Sequence, residues 1–215
     1  MSSSEIWNEY YKKNTTIVPY TEAFTSLLKM KSPDFLKGSN FLEIGCGTGN
    51  NLFYARKFLN MNVFGIDYSQ NALNKCKTLF DKNKETVELK NYNAKNLGYA
   101  NMNFDVVLDR GTIQHNYLKD AHEIVKEIYR VLKHKGIFIS FLASEFHKYF
   151  DKGEDLGFGD FSIKSEHGIR HFYSKYEIKN LFSGFTISQF SLHQKTDMNT
   201  NKNIESYYSV SMVKE

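Results

Sequence analysis

Between residues 40 and 142 the chain alternates short apolar runs with longer stretches in which apolar residues recur every three or four positions. The first rhythm predicts buried strands, the second amphipathic helices. Strands are expected at 40–44, 63–66, 87–89, 104–108 and 136–142. Helices are expected at 50–59, 69–80 and 118–133; the second carries Ala72, Leu73, Cys76, Leu79 and Phe80 on one face. Two more helices precede this block, at 5–13 and 20–31, with Pro19 just before the second. After residue 143 the rhythm weakens. Residues 143–170 hold Gly153, Gly157, Gly159 and Gly168 and read as a long loop, which in a compact domain usually carries function. A helix over 174–182 follows. Two alternating stretches, 185–193 and 205–213, then predict an antiparallel hairpin joined by the polar loop KTDMNTNKN.

Strands separated by helices at this spacing imply a parallel sheet covered on both faces, with right-handed crossovers. A length of 215 residues with 41% hydrophobic and 24% charged residues suits one packed domain. The longest apolar run, Ile137–Ala143, is far short of a membrane span, and the N-terminus MSSSEIWNEYYKK has no signal-peptide core. A cytoplasmic protein without a membrane partner is therefore expected, as a monomer or homodimer. The net charge of +4 changes little, because acidic residues are interleaved and only positions 56, 110, 130 and 170 are Arg. With no basic stripe, a nucleic-acid partner is disfavoured. Cys46 and Cys76 form no CxxC pair, so no metal site is expected.

The most informative segment is FLEIGCGTGN, residues 41–50. Gly45, Gly47 and Gly49 follow a strand and open a helix, which allows a sharp turn and close approach of backbone N–H groups to a ligand. Asp67, in FGIDYS at the end of the next strand, lies 22 residues beyond Gly45, where a carboxylate can accept from both hydroxyls of a ribose. The dinucleotide fingerprint GxGxxG would need a small residue at position 50, which is Asn. Glu43, just before the glycines, would repel a pyrophosphate but suits a ligand with an ammonium group. An aminoacyl nucleoside fits better than a nicotinamide dinucleotide.

FLEIGCGTGN followed by FGIDYS resembles the first two motifs of the class I S-adenosylmethionine-dependent methyltransferases. YNAKNL (92–97), FDVVLDRGTIQHN (104–116) and VLKHKGIFISF (131–141) resemble the next three, in order and spacing. The resemblance implies an α/β fold: a Rossmann-like, doubly wound, seven-stranded, mostly parallel sheet with an antiparallel last strand and helices on both faces. It also implies one methyltransferase domain over 1–215, with residues 1–35 as an N-terminal helical cap and 143–173 as a substrate lid. The implied cofactor is S-adenosylmethionine. Gly45, Cys46, Gly47 and Gly49 would lie along its methionine and ribose, and Glu43 near its amino group through water. Asp67 would hold the ribose, Tyr68 would pack on the adenine, and Asn93 and Ala94 would sit by the adenine edge. Asn93 stands where many relatives carry Asp; its amide oxygen can still accept, without the charge.

Asp109 would face the reacting methyl group, and His115 would line the acceptor side as a base. Trp7 and Tyr11, in IWNEYY, resemble segments that fold over the cofactor. His167, Arg170 and His171, in SEHGIRHF, are further acceptor-side candidates. The aromatic residues Phe146, Tyr149, Phe150, Phe158 and Phe161 are too many for a solvated loop. The resemblance also narrows the acceptor. The chain lacks the Pro-Pro-aromatic motif of enzymes methylating DNA amino groups, the Cys of cytosine C5 chemistry, the paired glutamates of protein-arginine enzymes and the thiols of arsenite methylation. A small-molecule acceptor with an O, N or S nucleophile remains. RNA or protein acceptors, and a catalytically silent binder of the nucleoside, are the alternatives.

Overall fold

Strand β1 (Asn40–Ile44) lies at the centre of the molecule, paired in parallel with β2 (Asn62–Ile66) on one side and β4 (Phe104–Arg110) on the other. The computed structural model describes residues 2–15, 18–150 and 168–215, and the backbone alone at 154–155 and 161–165. From β1 the chain winds outward through β2 to β3 (Glu88–Lys90), then returns to β4 and β5 (Leu132–Ala143). The sheet order is β3-β2-β1-β4-β5-β10-β9, seven strands in all. Its last pair, β9 (Thr186–Asp197) and β10 (Lys202–Val213), forms an antiparallel hairpin, and β10 runs antiparallel to β5. The expected doubly wound sheet with an antiparallel last strand is present. Its strand order reverses between β1 and β4, the place where open α/β sheets bind ligands.

Side chains alternate across the sheet and build two cores. Leu42, Ile44, Val107, Phe138 and Leu142 face α6 (Leu118–Val131) and α7 (Lys175–Leu181). Phe41, Val106, Leu108, Ile137 and Ile139 face α2 (Thr21–Met30), α4 (Asn50–Leu59) and α5 (Gln70–Lys82). Each fully buried Leu, Ile or Phe contributes roughly 1.5–3 kcal/mol of burial. α6 has the pattern expected of a surface helix: Ala121, Ile124, Val125, Ile128 and Val131 are buried, with polar residues between.

Three sequence expectations are corrected. First, β9 and β10 run on to a four-residue turn, 198–201, where a nine-residue loop was expected. Their outer residues, Ile204 apart, are polar and carry no alternation. Second, residues 143–170 are not simply a loop: β6 (Glu154–Asp155), β7 (Phe161–Ser165) and β8 (Gly168–His171) form a small antiparallel sheet. Third, β5 starts at Leu132, directly after α6, because Phe104 pairs with Leu132 before the register shifts and Val106 pairs with Ile137. Helix α1 (Ser3–Lys13) starts with a capping box between Ser2 and Glu5 and buries none of its residues. A short α3 (Pro33–Leu36) precedes β1. Among the described residues no helix is long and apolar enough to cross a membrane.

Candidate functional site

The chain leaves β1 through Gly45, Gly47 and Gly49, all at positive φ. At Gly45 a side chain would overlap the Thr112 hydroxyl, which itself donates to the Ile44 carbonyl at 3.0 Å. At Gly47 a Cβ would lie 2.6 Å from the Tyr11 hydroxyl. The loop is thus pressed between the end of β4 and helix α1. Asp67 pins it from the side. Its Oδ2 accepts from the Gly47 N–H and its Oδ1 from the Ser69 N–H, both at 2.8 Å. Burial pushes the Asp67 carboxyl above its usual range, against the pull of these N–H groups.

The end of β4 is built on Asp109, which is fully buried. Its Oδ1 accepts from the N–H groups of Thr112 (2.8 Å) and Ile113 (3.2 Å), and its Oδ2 from the Ser140 hydroxyl (2.7 Å). This clip shapes the turn 111–112 and the single helical turn Ile113–His115. Gln114 Oε1 accepts from the Ala143 N–H at 2.6 Å and ties that turn to β5. His115 Nδ1 lies 2.8 Å from the Ile169 carbonyl oxygen in β8, and its ring meets Trp7 edge-on at 5.0 Å.

Helix α1 is held over the loop by polar contacts. Asn8 Oδ1 accepts from Ser69 Oγ (3.1 Å) and the Asn71 N–H (3.0 Å), while Asn71 Nδ2 donates to the Asn8 carbonyl. Ile6 comes close to Gly168, so α1 and β8 meet above the sheet.

Beneath them lies a cleft of about 290 Å³, at the lower end of the range for small-molecule sites. Gly45, Ile66, Asp67, Tyr68 and Ala94 line it together with Trp7, Tyr10, Tyr11 and His115. A second cleft of about 250 Å³ continues toward Tyr20, Phe141, His147, Glu205 and Tyr207. Arg110, Gly111, Gln114 and Arg170 line both.

The structure therefore brings Trp7, Tyr11, Gly45, Asp67, Tyr68, Ala94, His115 and Arg170 together as the sequence led us to expect. Other candidates lie elsewhere. Asp109 does not line either cleft, because the two N–H groups and one hydroxyl it holds keep it inside the turn. Burial pushes its carboxyl up to about 6. Cys46 turns its thiol into the core toward Cys76. Asn93 is exposed, with its Oδ1 taken by the Lys95 N–H. His171 is fully buried and bonded to Glu177 at 3.2 Å. His167 and Phe158, and the side chain of Phe161, lie outside the described residues. Of the other lid aromatics, Phe146 and Tyr149 are exposed, while Phe150 meets Phe172 edge-on.

Glu43 is buried on the sheet face toward α4. Its Oε1 accepts from Asn51 Nδ2 at 2.6 Å, and its Oε2 has no hydrogen-bond partner among the described residues. Burial pushes this carboxyl up to about 8, against the pull of Asn51 and Arg110. An orphaned carboxylate oxygen behind the glycine loop fits a ligand that brings a cation. Arg110, Gln114, Tyr20, His147 and Glu205 were not singled out in the sequence. For Arg110 a signal existed: it immediately follows Asp109 at the carboxyl end of a strand beside the sheet's switch point.

Residues 42–140 match the family described as a methyltransferase domain. The demethylmenaquinone methyltransferase of Lactobacillus johnsonii is 32% identical over 121 residues, 54% of this chain and 47% of that protein. Human EEF1A lysine methyltransferase 2 is 30% identical over 145 residues, 60% of this chain and 61% of that protein. This chain thus spans about half to three fifths of the length of these relatives. In fold, it is similar to magnesium protoporphyrin IX methyltransferase from Synechocystis, solved with bound S-adenosylmethionine. The TM-score is 0.71 at 11% identity, over 100% of this chain and 98% of that one.

Proposed function

Because the chain belongs to the class I S-adenosylmethionine-dependent methyltransferases, we propose that it transfers a methyl group to a small-molecule acceptor held at the junction of the two clefts. The observation that carries this reading is the first cleft itself. Its lining holds Asp67, Tyr68 and Ala94 together with His115, and it shares Arg110, Gly111, Gln114 and Arg170 with the second cleft.

S-adenosylmethionine, when bound, supplies a methyl group already activated on a sulfonium. The protein's own residues do the rest. Asp67 offers the lone pairs left over from Gly47 and Ser69 to the ribose hydroxyls. Tyr68, Ile66 and Ala94 give the base its apolar walls. Glu43 carries the charge that answers the amino group. Trp7, Tyr10 and Tyr11 cover the methionine end and exclude water. His115 keeps its Nδ1 proton on the Ile169 carbonyl, so its Nε2 takes the proton from a hydroxyl or amine acceptor as the new bond to carbon forms. Alignment of acceptor and methyl group supplies most of the acceleration.

In this reading residues 1–35 are a cap and 143–173 a lid; hydrogen exchange should slow in both when S-adenosylhomocysteine and acceptor bind together. The human relative favours a protein lysine acceptor as the rival. Labelled S-adenosylmethionine incubated with a cell lysate separates the two: label in the small-metabolite fraction supports the proposal, label in the protein fraction alone overturns it. Calorimetric titration with S-adenosylhomocysteine tests the cofactor step by itself.

A further inference from the structure

Two guanidinium groups stand at the junction of the clefts, and the methyl-transfer chemistry uses neither. Arg110 is placed by the last residue of β4, with its guanidinium carbon 4.2 Å from the centroid of the Tyr20 ring. Arg170 follows Ile169 in β8, the residue whose carbonyl holds His115. It is half-buried. Among the described residues, no carboxylate or carbonyl accepts a hydrogen bond from either side chain. Burial holds the Arg170 guanidinium below its ordinary range, opposed by Tyr149 and Glu205. The other charged and titratable groups lining the second cleft are Tyr20, His147, Glu205 and Tyr207. In the second cleft two permanent cations thus face one lining carboxylate, Glu205, while Arg110 also lies near the buried carboxyls of Glu43 and Asp109. A half-buried guanidinium has five N–H donors to satisfy, and its planar fork matches the paired oxygens of a carboxylate or phosphate.

We propose that the acceptor carries an oxyanion, a carboxylate or a phosphate, which Arg110 and Arg170 grip across the junction while the nucleophile points at His115. This rests on the methyltransferase reading above and names the class of its acceptor. The arrangement has a chemical logic. Both arginines line the same two clefts as Gln114, and His115 is the next residue. Arg170 is next in chain to Ile169, so an anion gripped by Arg170 also steadies the carbonyl that orients the His115 ring.

The test uses the intact protein and two probes, inorganic phosphate and acetate, each titrated with S-adenosylhomocysteine present. Calorimetry gives the heat, and the emission of Trp7, the chain's single tryptophan, reports from inside the cleft. At least one probe is expected to saturate at millimolar concentration. Arg110→Met and Arg170→Met should each weaken it tenfold or more and the double variant should abolish it, with S-adenosylhomocysteine binding still measurable in each as the sign that the fold is kept. Arg170→Lys should recover part of the loss, which a variant that merely failed to fold would not. Saturation by phosphate alone assigns a phosphorylated acceptor and by acetate alone a carboxylate; both outcomes support the proposal. Neither probe binding while S-adenosylhomocysteine binds overturns the grip and leaves methyl transfer standing. No S-adenosylhomocysteine binding by the folded protein removes the methyltransferase reading, and titration of phosphate and acetate alone then decides whether the arginines hold an anion at all.

Discussion

The Nδ1 of His115 sits 2.8 Å from the carbonyl oxygen of Ile169, 54 residues further along the chain. A carbonyl only accepts, so the contact puts the neutral ring's proton on Nδ1 and its lone pair on Nε2. It also joins the end of β4 to the small sheet above it. His115→Ala should therefore lower turnover by ~10²-fold or more on a hydroxyl or amine acceptor, with little change in S-adenosylhomocysteine affinity. Single-turnover kinetics and calorimetry check the two halves separately. Full turnover in the variant would reduce His115 to a wall of the cleft.

In the proposed reading Asp67 does two jobs at once. Asp67→Ala removes the acceptor for the Gly47 and Ser69 N–H groups and for the ribose hydroxyls. S-adenosylhomocysteine binding should weaken by roughly 1.5–3 kcal/mol, about ten- to a hundredfold or slightly more. Unchanged affinity in a folded variant would move the nucleoside to another place.

Glu43 makes a pH prediction. Its carboxyl, ordinarily near 4.5, is pushed up to about 8 by burial. Between those values the folded protein binds more protons than the unfolded chain, so this group makes stability fall as pH rises from about 4.5 to 8. Glu43→Gln keeps an oxygen for Asn51 and removes the titration. Its melting temperature should exceed that of the unaltered protein at pH 8, and the difference should shrink toward pH 4.5. Binding reverses the preference, because the ligand's ammonium group favours the ionised carboxylate. S-adenosylhomocysteine affinity should rise with pH up to about 8, and Glu43→Gln should lose that rise. A flat affinity profile in the unaltered protein would separate Glu43 from the amino group.

The corrected role of Asp109 is also testable. Asp109→Ala leaves two buried N–H groups and the Ser140 hydroxyl without an acceptor. It should cost about 3–4 kcal/mol in urea denaturation. Asp109→Asn should cost less, since one amide oxygen still serves both N–H groups and its NH₂ can donate to Ser140. A variant that loses turnover at full stability would return Asp109 to the chemistry.

What the sequence made legible follows from burial. β1, β4 and α6 were readable because the core takes their apolar positions at fixed periods, and Gly45 and Asp67 because their backbone and spacing requirements are local. The rest of the site is made of contacts that leave no periodic trace. α1 buries nothing, so no stripe reveals which way it lies. Arg110 and Arg170 are 60 positions apart in the sequence, and contacts such as that of His115 with Ile169 bring their elements together. Asp109 was misread for the opposite reason. Its place at a strand end suggested a group facing the ligand, whereas the N–H groups of the following turn had already claimed it. The tips of β9 and β10 were missed because their outer residues, Ile204 apart, are polar, so alternation vanishes where pairing continues.

Asn8 ties helix α1 to the start of α5. Helix α1 has no fully buried side chain, and Asn8 binds the start of α5 through both its side chain and its carbonyl, while Lys75 of α5 donates to Asn14 and Thr15 at the end of α1. Asn8→Ala removes the two side-chain hydrogen bonds, worth about 1–2 kcal/mol together. Elements held this weakly open locally without unfolding the rest. The urea midpoint followed by far-ultraviolet circular dichroism should therefore hardly change. Trp7 is one residue away on the same helix and packs on His115, so its emission should shift to the red in the ligand-free variant as water reaches it. Helix α1 also lies over the glycine loop, where Tyr11 lies against Gly47. A loss of about 1.4 kcal/mol of closure corresponds to a tenfold faster opening, so S-adenosylhomocysteine should dissociate several- to tenfold faster in stopped-flow measurements. If both Trp7 emission and the dissociation rate match those of the unaltered protein, something other than Asn8 holds α1 in place, and the cap would have to be anchored through its contacts with β8.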